Sequence, residues 1–217
     1  MADDTYHFLK RIFEMSMNLF RFIGDSMHLA SIIILLLKIR KTNSASGISW
    51  NSQLLYLIVF LSRYLDLFAG HFINLYLVIM KLLYIGTSAY VLYLMKKLHF
   101  TWDASKDRFP THFLLLGSAI AAILFHEEFS ILELFWAFSI WLEAVAIMPQ
   151  LYVVQMTGEC ETITSHYLFA LGAYRAMYIP NWIYKYMMNE RVHWISVMAG
   201  LIQTALYSDF FWIYYQK

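Results

Sequence analysis

Apolar segments long enough to cross a lipid bilayer follow one another along almost the whole chain. A transmembrane helix needs about 20 largely apolar residues, and we predict seven such spans, at 19–37, 54–73, 75–95, 112–126, 131–155, 164–184 and 194–215. Hydrophobic residues make up 60% of the 217 residues and charged residues only 14%, whereas soluble domains carry about 25% charged residues. The sequence therefore predicts an all-α membrane protein, in which the short fourth span is the weakest.

The composition also excludes several classes of protein. A single cysteine, Cys160, allows neither a disulfide framework nor a thiolate zinc cluster. A formal net charge of +1 argues against nucleic-acid binding, which needs a clustered basic surface. No motif in the sequence indicates catalysis, so we expect a protein that is not an enzyme and that has no cofactor and no metal.

The distribution of basic residues predicts the orientation in the membrane, because cytosolic loops carry the excess of Lys and Arg. With the N-terminus in the lumen, eight basic residues fall on the cytosolic side: Lys38, Arg40, Lys41, Lys96, Lys97, Lys106, Arg108 and Lys217. Four fall on the lumenal side: Lys10, Arg11, Lys185 and Arg191. We therefore predict a lumenal N-terminus and a cytosolic C-terminus.

A weak internal repeat relates two parts of the chain. Residues 47–68 and 161–179 both run from a small polar start into an apolar helix with an arginine near its middle, Arg63 and Arg175. These helices would be the second members of two three-helix repeats joined by 112–126 as a linker helix. Parallel repeats of this kind place a site near the midplane of the bilayer.

Charged and polar side chains occur inside the predicted spans, where charge is costly and usually faces protein or water. In the first span, Arg21, Asp25 and His28 share one helical face. The later spans contribute Arg63, Tyr64, Asp66, Glu133, Trp136, Glu143, Tyr174, Arg175, Tyr178, Asn181, Trp182, Lys185 and Asp209. We predict that these residues converge on a polar cavity.

Several of these residues also suit a structural role. Arg21 and Lys185 lie near helix ends, so their charged groups could extend to the membrane interface. Asp25 could interact only with the dipole of its helix. Glu143 and Asp209 could each be satisfied by a hydrogen bond from a tyrosine or a backbone group. Arg63 and Arg175 lie too deep for the interface, which favours function. His28 is either a buried core histidine or a pH-linked group.

The cavity chemistry suits a ligand of mixed charge. Guanidinium groups are preferred partners of carboxylates, so the arginines favour a ligand with several carboxylates. Asp66 and Glu133, close to Trp136, would bind a cation, with support from the aromatic ring. We expect a ligand with several negative charges and one positive end.

Motifs spread over nearly the whole chain resemble the KDEL receptor family, the ER lumen protein-retaining receptors. They are LLLKIRKTNSASGIS (35–49), RYLDLF (63–68), LFWAFSIWLEAVAIMPQLY (134–152), TGECETITSHYLF (157–169) and GAYRAMYIPNWI (172–183). The resemblance runs from 18–30 to 206–214, and the Pro149–Gln150 pair is similar to that of the PQ-loop and SWEET-like group. It implies a seven-helix receptor with two three-helix repeats and a linker helix.

The family implies binding of C-terminal Lys-Asp-Glu-Leu or His-Asp-Glu-Leu (KDEL or HDEL) signals of escaped ER lumenal proteins, which are receptor-read addresses. The signals would be captured in the acidic cis-Golgi and released in the neutral endoplasmic reticulum. By resemblance, Arg63 takes the terminal carboxylate, and Arg21, Arg175 and Lys185 take the acidic side chains. Asp66, Glu133 and Trp136 receive the Lys or His that begins the signal, which we call its head.

The resemblance also assigns supporting roles. His28 is expected to sense protons, and a hydrogen bond between Tyr174 and Glu143 is expected to hold the closed state. Tyr64, Tyr178, Asn181 and Trp182 would line the cavity, and Asp209 is expected to serve transport.

Three features depart from the family pattern. Position 185 is lysine where the family has arginine, which weakens bidentate recognition there. The chain reaches Lys217 without the family's lysine-bearing cytosolic tail, which either puts recruitment of the COPI coat in doubt or indicates a truncated chain. Sixteen residues precede Met17, where family members usually begin, as either an incorrect start site or a real lumenal extension. We expect residues 1–17 to be a disordered lumenal extension and residues 18–217 to form the receptor domain.

Other functions are compatible with some of these features. A proton-coupled small-solute transporter of the SWEET or PQ-loop type is the nearest rival, because it would share the fold. A G-protein-coupled receptor fits less well, since the last span has no lysine for retinal and the third has no terminal Asp-Arg-Tyr. An intramembrane protease is weaker still, because its motifs are missing.

Overall fold

The computed structural model describes residues 19–67, 75–127, 130–157, 162–190 and 192–215, with the side chains of 162–165 and 209–215 left aside. These ranges contain eight α-helices and no β-strand. The helices are α1 (Leu19–Thr42), α2 (Trp50–Arg63), α3 (Leu75–Lys97), α4 (Thr111–Leu124), α5 (Ile131–Val145), α6 (Met148–Thr157), α7 (Thr162–Met187) and α8 (Trp194–Tyr215). Two 3-10 turns cover Leu65–Leu67 and His99–Thr101.

The helices confirm the prediction of an all-α membrane protein. Within the described ranges, Leu19–Thr42, Leu75–Lys97 and Ile131–Thr157 are long and apolar enough to cross a bilayer, and Thr111–Leu124 is a shorter apolar helix. Large apolar side chains on the outer faces of α3 and α4, such as Leu82, Phe113 and Ile123, are exposed. Buried polar residues such as His28 and Glu143 lie inside the bundle, as expected when the surrounding solvent is lipid.

The second predicted span is wrong in its bounds. It was expected at 54–73, but α2 begins at Trp50 and ends at Arg63. Tyr64 leaves the helical conformation, and the Leu67 N–H bonds to the Tyr64 carbonyl at 3.0 Å in the following 3-10 turn. Arg63 therefore lies at the end of its helix rather than near the middle, and residues 68–74 lie outside the described ranges.

The helices pack in pairs that repeat along the chain. Helix α1 packs along α7, and α2 packs along α5. Helix α3 contacts both α1 and α2, and α8 in the same way contacts both α5 and α7. Helix α4 packs on α5. The contacts of α1, α2 and α3 thus match those of α5, α7 and α8.

The Pro149–Gln150 pair interrupts the fifth predicted span between α5 and α6. Proline has no N–H to continue the helical hydrogen bonds. The Ser52 hydroxyl from α2 enters the gap, donating to the Ala146 carbonyl at 2.8 Å and accepting the Gln150 N–H at 2.9 Å. A side chain inserted between the carbonyl of residue i and the N–H of residue i+4 is a known cause of helix kinks.

The same Gln150 ties the break to the start of α2. Its side-chain oxygen accepts the Ser49 N–H at 2.8 Å, and its amide donates to the Gly47 carbonyl at 2.8 Å. The buried Asp107 carboxylate accepts the Ser49 hydroxyl at 2.8 Å and the Asn51 N–H at 3.1 Å. This cluster fixes the end of the bundle that lies opposite the polar cavity.

Candidate functional site

A cavity of about 650 Å³ opens among α1, α2, α3, α5, α7 and α8, within the range of about 300–1,000 Å³ usual for ligand sites. The structure brings fifteen of the predicted residues to its wall: Arg21, Asp25, His28, Arg63, Tyr64, Asp66, Glu133, Trp136, Glu143, Tyr174, Arg175, Tyr178, Asn181, Trp182 and Lys185. Asp209, the remaining predicted residue, has its side chain outside the described set.

A buried carboxylate shared by two arginines forms the floor of the cavity. Glu143 of α5 is 1% exposed and accepts a 2.6 Å hydrogen bond from Nη2 of Arg63. Nη1 of Arg175 lies 3.8 Å from the same carboxylate oxygen. The end of α2, the last turn of α5 and the middle of α7 thus bring two cations to one anion, which leaves an excess of positive charge at the floor.

Both arginines retain N–H groups that no described residue accepts. Arg63 uses Nε and Nη2 in three hydrogen bonds, to Ser139 and Glu143. A guanidinium has five N–H donors, so the two on Nη1 remain. Nε and Nη2 of Arg175 are buried and have no hydrogen-bond partner among the described residues. These donors can bind a carboxylate that enters the cavity.

A histidine and a tyrosine lie directly against this floor. The Tyr174 hydroxyl donates to Oε1 of Glu143 at 2.7 Å and accepts from Gln203 at 3.1 Å. The His28 ring is stacked on the Tyr174 ring, with centroids 4.0 Å apart and planes 4° from parallel. His28 is therefore one side chain away from the shared carboxylate, although its role as a proton sensor stays a prediction.

The wall between α1 and α7 carries a further charge pair. Nε of Arg21 lies 3.8 Å from the Asp25 carboxylate, which also accepts the Tyr178 hydroxyl. Further towards the mouth, the Lys185 ammonium lies 3.8 Å from the exposed Glu190. Arg21 and Lys185 are only partly buried, so an incoming ligand can reach both.

Asp66, a predicted cation site, already has a cation beside it. The ammonium group of Lys81, on α3, pairs with the Asp66 carboxylate. It also lies 5.6 Å from the centre of the Tyr64 ring, within the range of a cation–π contact. Lys81 lines the cavity and was missed by the sequence analysis.

Glu133 and Trp136 stand at the mouth on the first turns of α5. Ser130 caps this helix by accepting the Glu133 N–H at 3.2 Å, which places the Glu133 carboxylate at a helix N-terminus. The ring of His193, in the loop just before α8, lies 5.1 Å from the Trp136 ring. Nδ1 of His193 lies 2.8 Å from the Glu127 carboxylate, so this pair joins the two loops beside the mouth.

Comparison with known proteins assigns the chain to a family. The family described as ER lumen protein retaining receptor matches residues 44–185. A receptor of Drosophila melanogaster named ER lumen protein-retaining receptor is 51% identical over 93% of this chain and 95% of its own length. The Gallus gallus ER lumen protein-retaining receptor 2 is 52% identical, and the Saccharomyces cerevisiae ER lumen protein-retaining receptor is 46% identical, both over 93% of this chain and 95% of their own length. The chain belongs to the ER lumen protein-retaining receptor family.

Membership of the ER lumen protein-retaining receptor family confirms the resemblance drawn from the sequence motifs. The matched segment begins in the loop before α2 and ends near the end of α7, and it contains Arg63, Glu143 and Arg175. The floor of the cavity is thus built from residues inside the family match. Among the described side chains, no group of three or more His, Cys, Asp or Glu could hold a metal ion.

The residues that the sequence did not predict, Lys81 and His193 in the cavity wall and Glu127 beside His193, differ in how visible they are in the sequence. Lys81 is the only charged residue of α3 before Lys96, so the rule on intramembrane charge could have found it. His193 and Glu127 belong to connections between helices, where a polar residue carries no such signal.

Proposed function

We propose that the cavity is the site at which this membrane receptor binds C-terminal KDEL- or HDEL-type signals of ER lumenal proteins. The family, and relatives that are named for retaining ER lumen proteins, support this function over catalysis. The observation that carries it is the set of guanidinium N–H groups on Arg63 and Arg175 that lack an acceptor among the described residues, those of Arg175 on buried nitrogens. Buried donors of this kind favour an anionic ligand.

The charge of the cavity matches a signal of this kind. Five Lys and Arg side chains and four carboxylates line the wall. A Lys-Asp-Glu-Leu tail brings two acidic side chains, the terminal carboxylate and one ammonium group. We propose that the terminal carboxylate binds Nη1 of Arg63, while Arg21, Arg175 and Lys185 bind the acidic side chains. The head would bind Asp66, Glu133 and Trp136 at the mouth.

The proposed receptor has seven spans in two three-helix repeats, with α4 as the linker. The contacts made by α1, α2 and α3 have the same pattern as those made by α5, α7 and α8, which supports this arrangement. With the N-terminus in the lumen, the cavity faces the lumen and the Gln150 cluster faces the cytosol. The receptor would then meet its ligands in the ER and cis-Golgi, and the COPI coat is the expected partner for the return to the ER.

The pH dependence is proposed to start at His28. The ring lies against Tyr174, whose hydroxyl is bonded to Glu143, and it lies within electrostatic reach of Glu143, Arg63 and Arg175. A proton on His28 gives Glu143 another positive neighbour and weakens its hold on Arg63. Arg63 can then bind the ligand carboxylate more strongly, so the signal binds best at acidic pH.

Binding of a labelled Lys-Asp-Glu-Leu peptide to the purified protein tests the proposal. The titration runs from about pH 5 to about pH 7.5, where histidine titrates. Arg63→Ala should raise Kd by at least about tenfold, since hydrogen bonds to charged groups contribute about 1.5–3 kcal/mol. An amidated peptide should lose the same contribution, because it lacks the terminal carboxylate.

Arg40→Ala is the matched control, because Arg40 is exposed at the far end of α1 and should leave Kd unchanged. Failure of the peptide to bind at any pH would overturn the proposal. Transport of small solutes across sealed vesicles would then be the next measurement.

A further inference from the structure

A lysine that the proposed signal-binding mode leaves unused lies in the cation site. Lys81 is on the cavity-facing side of α3, and its ammonium group pairs with the Asp66 carboxylate. The Lys81 side chain is 18% exposed and that of Asp66 is 39% exposed, so the pair borders the open part of the cavity. An incoming ligand can therefore reach Asp66.

The position of the ammonium group is not imposed by the helix. Lys81 lies six residues after the start of α3, which is about 9 Å along the helix axis. A lysine at that depth can extend its chain to the membrane interface. Its ammonium group instead lies at Asp66 and over the Tyr64 ring, so it has two partners inside the cavity.

We propose that Lys81 is a resident cation that the head of the signal must displace from Asp66. The inference rests on the proposed function, in which Asp66 receives the Lys or His head. In the absence of ligand, Lys81 neutralises Asp66; when a cationic head arrives, the two positive groups compete for one carboxylate. The Tyr64 ring remains as a cation–π partner for the displaced ammonium group. Lys81 is thus a residue that determines specificity at the head of the signal.

The competition has a consequence that depends on the ligand. A signal with a cationic head must separate Lys81 from Asp66, whereas a signal with a neutral head leaves the pair intact. Removing the charge of Lys81 should therefore strengthen binding of cationic heads only. A lysine that bound the acidic side chains of the signal would give the opposite result, because its removal would weaken binding of both ligands.

The test compares Lys81→Met with the unmodified receptor, using Lys-Asp-Glu-Leu and Gln-Asp-Glu-Leu peptides. For the Lys-headed peptide we expect Kd to fall about three- to fivefold, the range that partly exposed ion pairs provide. For the Gln-headed peptide we expect Kd to stay within about twofold. Lys81→Arg retains the charge and should not tighten binding. Lys96→Met removes an exposed lysine at the other end of the same helix and should have no effect.

A double-mutant cycle makes the test independent of any general effect on folding. Asp66→Asn should reduce the preference for the Lys head, and adding Lys81→Met to it should give no further tightening. If Lys81→Met does not fold, Lys81→Gln takes its place in the same cycle, with the same expected shift.

An unchanged or raised Kd of the Lys-headed peptide would overturn the role of Lys81. Equal tightening of both peptides would also overturn it. Failure of both peptides to bind the unmodified receptor would instead overturn the proposed function.

Discussion

With 1% of its side chain exposed, Glu143 carries the negative charge that two arginines share at the floor of the cavity. Its two oxygens accept hydrogen bonds from Arg63 and from Tyr174. Removing one partner of a buried ion pair leaves the other partner uncompensated, which is far more costly than losing an exposed pair. The Glu143 charge therefore has a structural role in addition to any role in ligand binding.

We expect Glu143→Gln to lower the free energy of unfolding by about 3–5 kcal/mol, the range for a broken buried pair. Denaturant or thermal unfolding in detergent measures the change. Glu190→Gln is the matched control, because Glu190 is exposed and lies 3.8 Å from Lys185; such pairs contribute about 0–1 kcal/mol. Equal stability of the two variants would contradict the structural role of the Glu143 charge.

Single residues were predictable from the sequence where physics leaves few alternatives. Charges such as Arg63 and Glu143 stand out in an apolar span because burying them alone is costly, and both line the cavity. The sequence could not show that these two residues pair with each other, since pairing depends on how α2 and α5 pack. For the same reason, Asp66 was assigned a ligand cation while its Lys81 partner on another helix was overlooked.

At the scale of helices, the Ser52 hydroxyl holds the break between α5 and α6. It bonds to the Ala146 carbonyl and to the Gln150 N–H, which would bond to each other in an uninterrupted helix. Ser52 is buried. Without the hydroxyl, both buried backbone groups would lose their hydrogen-bond partner.

We expect Ser52→Ala to lower the free energy of unfolding by about 1–3 kcal/mol, the cost of leaving a buried polar group unsatisfied. Ser208→Ala is the matched control on α8, because the exposed Ser208 hydroxyl only bonds back to the Thr204 carbonyl of its own helix. Unfolding of both variants in the same detergent gives the comparison. A Ser52→Ala variant as stable as Ser208→Ala would show that the hydroxyl does not hold the break.

Helix type was easier to predict from the sequence than helix bounds. In a long apolar stretch within a bilayer, the backbone must satisfy its own hydrogen bonds, and a helix does so. The all-α class was therefore predictable. The end of α2 at Arg63 was hidden because the apolar run continues through Leu65 and Leu67, where the backbone has already turned. Hydropathy reports the environment of a segment, but it does not report a change from an α-helix to a 3-10 turn.

At the scale of the whole molecule, proton and ligand binding are expected to be linked through His28. If the protonated receptor binds the signal more tightly, the bound signal must increase proton affinity by the same factor. Affinity is then highest below the histidine range and falls as pH rises through it. On this hypothesis, we expect the pH difference between compartments to be sufficient to drive capture and release.

We expect peptide binding near pH 6.5 to take up as much as about one proton for each peptide bound. Calorimetry in two buffers with different ionisation enthalpies measures this uptake. His28→Ala should abolish it and flatten the pH profile, while His99→Ala, at an exposed histidine far from the cavity, should change neither. The same uptake in His28→Ala would assign the proton to another group.

The matching helix contacts bear on how a bound peptide is oriented. Arg63 and Arg175 come from α2 and α7, which occupy equivalent places in the two sets of contacts. A pocket with two equivalent ends would accept a chain running in either direction. Glu143 makes the ends different, because it lies 2.6 Å from one arginine and 3.8 Å from the other. The scaffold is nearly two-fold in its contacts, yet its floor has a polarity, and we expect that polarity to let the receptor distinguish the end of a polypeptide from its beginning.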